Sequence, residues 1–247
     1  MNLTGKIKKS ALITITKREL VSYFTSPVAY IVGALFLLAS GILFFTTFFL
    51  QDRADLRSFF ETLPILFSFF IPAMTMRIFS EEKNSGTIEM LVTLPVRTSD
   101  IVLGKYISVF ISSIVLLLPT VSYAVTCACF AETSMDKGPV IGGFAGALFL
   151  SAAFCSIGMF ASSITKNQII AFFAAFAVSI FLTMLPSFSY FMPSSFISFA
   201  TFISTNSHFD SISKGVIDSR DIIYFLSMTA VFITATVRSI NNSRRRG

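Results

Sequence analysis

The side chains that could do chemistry are few, and their spacing argues against most reactions. The chain has one histidine, His208, in the run HFD with Asp210, where it could orient a proton. Without a neighbouring nucleophile or electrophile that pair makes no catalytic set, and one imidazole cannot supply a zinc or haem site. Three cysteines, Cys127, Cys129 and Cys155, lie in or beside apolar runs without CxxC spacing, so they read as small core- or lipid-facing residues. Gly104-Lys105 lacks the upstream glycine of a phosphate-cradling loop and is followed by Tyr106. The chain is therefore expected to bind no cofactor or metal, to be non-catalytic, and not to hydrolyse ATP itself.

Composition explains the scarcity. Of 247 residues, 54% are hydrophobic and 13% charged, against about 25% charged in soluble domains. Thirty phenylalanines and no tryptophan leave Tyr23, Tyr30, Tyr190 and Tyr224 to share the interface-anchoring role with Phe. This is an all-α polytopic membrane protein. Six spans are expected: Val28–Leu50, Leu63–Met76, Ile107–Phe130, Val140–Ser163, Ile169–Leu185 and Ile222–Val237. The second, fifth and sixth fall short of the about 20 residues needed to cross, so they must take in polar flanks or sit in thinned bilayer. None carries Asp, Glu, Lys or Arg in its middle, where an ion-coupled carrier keeps a relay. Their hydroxyls can pair across helices or line a modestly polar path.

Charge sets the orientation. On one side fall Lys6, Lys8, Lys9, Lys17, Arg18, Arg77, Lys83, Arg97, Lys105, Lys166, Arg238, Arg244, Arg245 and Arg246. On the other fall only Arg53, Arg57, Lys137, Lys214 and Arg220. That bias predicts both termini in the cytoplasm, and it accounts for the net charge of +6 without nucleic acid as a partner. Residues 1–27 are expected to form a basic interfacial helix with Ile13, Leu20 and Phe24 on its apolar side, although Thr16 and Lys17 interrupt that stripe. No cleaved signal peptide is recognisable there. Residues 28–237 form the six-span domain. Residues 238–247 form a basic cytoplasmic tail, disordered from Asn241 and in contact with anionic lipid headgroups.

Between spans two and three lies the segment RIFSEEKNSGTIEMLVTLPVRTSDIVLGKY, Arg77 to Tyr106. Within it Asn84-Ser85-Gly86 reads as a turn and helix start and Pro95 as a stop. Ile88, Leu91 and Val92 share one face while Glu89 points elsewhere. Such a short amphipathic helix either rests on the membrane surface or docks a soluble partner. After span five, LPSFSYFMPSSFISFATFI (185–203) is too broken to span and too apolar for water, and reads as a re-entrant or interface-lying segment. Gly138, Gly142 and Gly146, four apart, offer a bare face for helix packing, repeated by Ala171 and Ala175.

Four blocks carry a resemblance. They are KRELVSYFTSPVAYI from Lys17, IPAMTMRIFSEEKNSGTIEMLVTLPVRTSDIVLGKY from Ile71, IGMFASSITKNQIIA from Ile157 and SHFDSISKGVIDSRDIIYFL from Ser207. Through them the chain resembles the membrane subunits of ABC-2 type transporters. More narrowly it is similar to the gliding-motility-associated permease component and the nitrous-oxide reductase maturation permease. The second block, EE(K)xSGTIExLxTLPV, is the most specific.

The resemblance implies a permease subunit of an ATP-driven transporter, an exporter, in the bacterial cytoplasmic (inner) membrane. It implies a connecting helix around Lys17, Arg18 and Glu19. It implies a coupling helix around Gly86, Thr87, Ile88, Glu89, Leu91, Val92 and Pro95, seated in an ATPase cleft. Glu81 and Glu82 would meet basic residues of the connecting helix. The segment after span five would match the family's outer re-entrant helices. The implied partners are a cytoplasmic ABC ATPase subunit carrying ATP and Mg, a second permease copy or a related permease, and membrane lipids. No fused ATP-binding domain and no large outer domain is recognisable, which sets the chain apart from roles that need the latter. From the residues alone, a standalone channel or secondary carrier and a membrane anchor for a cytoplasmic complex remain the alternatives.

Overall fold

The computed structural model describes residues 3–51, 56–87, 97–130, 137–191, 194–216 and 218–244. Among them the backbone is helical almost throughout, with no strand. α1 spans Leu3–Thr25, and a bend at Ser26 separates it from α2, Pro27–Gln51. α3 is Arg57–Thr75 and α4 Arg77–Asn84. α5 is Thr98–Leu117 and α6 Val121–Phe130, joined by a 3-10 turn over Leu118–Thr120. α7 is Lys137–Ile164 and α8 Gln168–Met184. After a 3-10 stretch over Leu185–Phe191 come α9, Ser194–Ile203, α10, Thr205–Ser213, and α11, Ser219–Arg244.

Six helical stretches are long and apolar enough to cross a membrane: Pro27–Phe49, Arg57–Asn84, Thr98–Phe130, Gly138–Ile164, Gln168–Phe188 and Ser219–Asn242. This is a multi-pass, all-α membrane protein. The spans that look short in the sequence reach length by taking in polar flanks. The second is 28 residues because α4 continues α3 across one turn residue, Met76, and the sixth is 24 residues. α11 also runs on through Asn241 to Arg244, where the sequence suggests a disordered end. The third span breaks at Pro119, which has no amide to donate and whose ring displaces the preceding turn.

α7 is the central helix, packed against α3, α4, α5, α8, α10 and α11. Its Ala147, Leu150, Ala153, Phe154, Cys155 and Ile157 are buried in a core shared with Phe36, Phe60, Phe67 and Phe225. In lipid such contacts gain little from water exclusion, so close approach and dispersion carry the packing. Cβ atoms added at Gly142 and Gly146 would meet the Ile212 carbonyl and the Phe209 ring of α10, and one at Gly143 would enter the Phe60 ring. On α8, Ala171, Ala175, Ser179 and Thr183 form one buried line, four residues apart. Most span hydroxyls are satisfied inside their own helix, as Ser112 is by the Ser108 carbonyl (2.9 Å) and Ser156 by that of Ala153 (2.6 Å). They therefore make few cross-helix bonds. Ser40 with Tyr123 (3.3 Å) is one such exception.

The junction of α3 and α4 is held by α7. The Ser162 hydroxyl accepts from the amides of Phe79 and Ser80, 3.0 Å each, and donates to the Met76 carbonyl at 2.9 Å. One turn earlier, a Cβ at Gly158 would overlap the Thr75 hydroxyl. Gly158→Val should therefore cost about 1–3 kcal/mol through overpacking, read as a lowered Tm of the detergent-solubilised protein. Gly33→Ala, whose Cβ would find Leu116 at an ordinary 3.7 Å, should leave Tm within a degree or two, an effect of about 0.5 kcal/mol or less.

Candidate coupling site at the charged end of the bundle

Four helices converge where the chain leaves span two and re-enters span three. Lys105 lies two turns inside α5 and is 1% exposed. Its ammonium donates to Glu82 Oε1 at 2.8 Å, Glu19 Oε1 at 3.0 Å and the Ile78 carbonyl at 3.2 Å, and sits 5.3 Å from the Phe79 ring centroid. Three acceptors match its three protons, and the ring face adds a weak attraction. One buried cation thus ties α1, α4 and α5 together. Glu82 Oε2 is buried with no partner.

α1 lies along the start of α5, where Gly104 permits the approach. A Cβ there would come within 2.9 Å of Ile15 Cγ2. Thr16 donates to the carbonyls of Gly104 (3.2 Å) and Leu12 (3.0 Å) and is buried. The inward face is therefore Leu12, Ile15, Thr16, Glu19 and Tyr23, while Ile13 is 55% exposed. Of the apolar side predicted through Ile13, Leu20 and Phe24, Ile13 is exposed, and Leu20 and Phe24 are half-buried. The residue that interrupts that stripe, Thr16, is the one the docking uses, because its hydroxyl finds two carbonyls. Of the predicted connecting-helix residues, Glu19 enters the ion cluster while Lys17 and Arg18 are exposed.

α4 is fastened on its other sides as well. Lys83 donates to the Ser163 carbonyl near the end of α7, which Ser239 of α11 also reaches at 3.2 Å. Arg77 makes a bidentate pair with Glu81 (2.9 and 3.0 Å) and donates to Ser26 at the α1–α2 bend, 2.9 Å. So Glu81 pairs within its own helix and Glu82 pairs with span three; the connecting helix brings an acid, Glu19, to the cluster instead of a base. Gly86, at φ +72°, ends α4 in the left-handed conformation that glycine adopts without strain. Beside it Ser85 and Thr87 share a hydroxyl contact of 2.9 Å. Ile88, Glu89, Leu91, Val92 and Pro95 lie outside the described residues. The chain resumes at Arg97, and α5 begins with Asp100 buried in its first turn, where a carboxylate faces the helix's free amides.

Residues 13–245 match the ABC-2 family transporter protein family. The chain belongs to that family. The match covers every span of this ABC-2 permease component and the residues of the Lys105 cluster. No curated protein matches the chain.

At the far end of the bundle His208 pairs with Asp221 Oδ1 across 2.6 Å, not with Asp210, which pairs with Lys214. The other ring nitrogen of His208 lies 3.0 Å from the Phe202 carbonyl, and the ring stacks on Tyr224 at 4.1 Å. The imidazole is a clip between α9, α10 and α11. Among the described residues no group of three His, Cys, Asp or Glu side chains is placed to hold a metal ion.

The sequence gives little warning of Lys105. It reads as a flank of span three, because the apolar run starts only at Ile107. Its signal is the neighbouring Gly104, a small residue where a second helix can approach. Lys105→Met should cost about 1–3 kcal/mol by leaving two half-buried carboxylates without their cation, read as a Tm loss in detergent. Adding Glu19→Gln and Glu82→Gln to that variant should return part of the loss, which a purely steric effect would not do.

Proposed function

We propose that this ABC-2 permease is the membrane-spanning subunit of an ATP-driven exporter whose ATP and Mg sit in a separate cytoplasmic ATPase subunit. The observation that carries the reading is the Lys105 cluster. The helix entering residues 88–96 and the helix leaving them are joined by one buried ion pair, and α1 is joined to both. A push on residues 88–96 would reach α4 and α5 as one body. It would pass to α1 through Glu19 and to α7 through Ser162 and Lys83. Force delivered at one short segment would thereby move spans two, three and four together.

In this reading the segment around Gly86 to Pro95 is the coupling helix, with Ile88, Leu91 and Val92 in the ATPase cleft and Glu89 at its rim. The basic bias puts this end and both termini in the cytoplasm of a bacterial inner membrane. Residues 185–203 are read as the outer re-entrant segment, and a second permease copy or a related permease completes the path. The EE(K)xSGTIExLxTLPV pattern supports kinship with the gliding-associated and nitrous-oxide reductase maturation permeases.

Leu91→Arg should abolish co-purification of the ATPase in mild detergent and its stimulation by the permease, while membrane insertion stays at the wild-type level. Equal stimulation by variant and wild type would overturn the coupling role. Recovery of this chain alone, moving solute in vesicles without ATP, would replace the reading with a standalone carrier.

A further inference from the structure

Beside the Lys105 cluster is a cavity of about 220 Å³ walled by α1, α2, α3, α4 and α5. Its ionisable lining is balanced, with Arg18, Arg77 and Lys105 against Glu19, Glu81 and Glu82. Against it lies an apolar groove of about 340 Å³ between α2 and α5, lined by residues such as Tyr30, Gly33, Leu37 and Leu116. Tyr23, Ala29, Met74 and Ser112 belong to both, so the polar chamber and the apolar groove are continuous. From Ala29 to Leu37 the groove follows the first span for about 12 Å at the helical rise. Polar groups therefore gather at the membrane surface and an apolar slot runs from them into the hydrocarbon, the polarity profile of a lipid of that leaflet.

We propose that this cleft binds one phospholipid with a primary-ammonium zwitterionic headgroup, its phosphate at Arg18 and Arg77 and one acyl chain in the groove. Arg18 is exposed and makes no ion pair with a described residue. Arg77 uses three donors on Glu81 and Ser26 and keeps others for a phosphate. The ammonium belongs at the Glu81–Glu82 wall, where Glu82 Oε2 is a buried acceptor without a partner. An anionic glycerol headgroup leaves its phosphate charge uncompensated and offers no ammonium to the three carboxylates of the chamber. A quaternary choline has no N–H for Glu82. Burial pushes the Tyr23 phenol well above its ordinary range, so it stays a neutral hydroxyl where the two chambers meet. The lipid would fill the space between α1 and the first span and extend the inward contacts of the docked helix beyond Gly104 towards Tyr23. The site is independent of whether the chain works with an ATPase.

The test uses the full-length permease, delipidated in detergent and supplied in turn with dioleoyl-phosphatidylethanolamine, -phosphatidylcholine and -phosphatidylglycerol, with retained lipid counted by native mass spectrometry. One phosphatidylethanolamine should remain per chain in preference to the other two. Arg18→Gln should weaken its retention about tenfold, as loss of one charge-assisted contact does. Gly33→Leu, which fills the groove without touching an ion pair, should weaken it similarly while Tm is unchanged. Equal retention of the three lipids, or wild-type retention in both variants, would overturn the proposal. No ATPase is present, so failure here leaves the coupling test untouched.

Discussion

A lysine ammonium removed from water inside a helical bundle is an expensive object, costing several kcal/mol before its partners are counted. Lys105 is tolerated only because Glu19, Glu82 and the Ile78 carbonyl surround it at 2.8–3.2 Å. The partners come from two other helices, Glu19 from α1 and both Glu82 and Ile78 from α4, so the charge can be satisfied only when α1, the α3–α4 helix and α5 are all in place. The arrangement of the charged end follows from that single requirement. Gly104 has no side chain because α1 must come close enough for Glu19 to reach, and Thr16 fixes α1 in register on the same turn. α4 continues span two beyond Met76 because Glu82 must lie level with Lys105.

The remainder of the bundle supplies a fixed wall behind this cluster. α7 meets α3 and α10 through glycines and α4 through Ser162, which lets backbones come close where lipid offers no hydrophobic drive to hold them together. The peripheral faces of α2, α8 and α11 present large apolar side chains such as Tyr30, Phe173 and Val231 outward, suited to lipid. Rigid attachment of α4 to α7 and ionic attachment of α4 to α5 and α1 give the segment between α4 and α5 a firm base, while the cleft beside Lys105 keeps one polar chamber open on the lipid side.

The fold class was legible because a membrane span announces itself by uninterrupted apolar length, and all six spans stand where apolar runs stand in the sequence. Their ends were not, because helices continue into polar flanks once neighbours accept those residues: Arg77–Asn84 and Asn241–Arg244 are helical although neither is apolar. The break at Pro119 and the close-packing glycines 142 and 146 follow from backbone chemistry and could be read directly. Partner choice could not. His208 selects Asp221 over the adjacent Asp210, and Glu82 selects Lys105 over any base of α1, because helix orientation and not sequence distance sets which side chains meet. The inward face of α1 was hidden for a related reason, since a threonine whose hydroxyl is satisfied by carbonyls packs as well as an apolar residue.

The junction beneath α4 also bears on biogenesis. The amides of Phe79 and Ser80 donate to a hydroxyl 83 and 82 residues further along the chain. A ribosome delivers the second span to the membrane long before it makes Ser162. Until then those amides must be served by water, by lipid headgroups or by a straighter helix. The second span therefore reaches its final shape only when the fourth has been inserted beside it, and the order of translation makes the charged end among the last parts of the permease to mature.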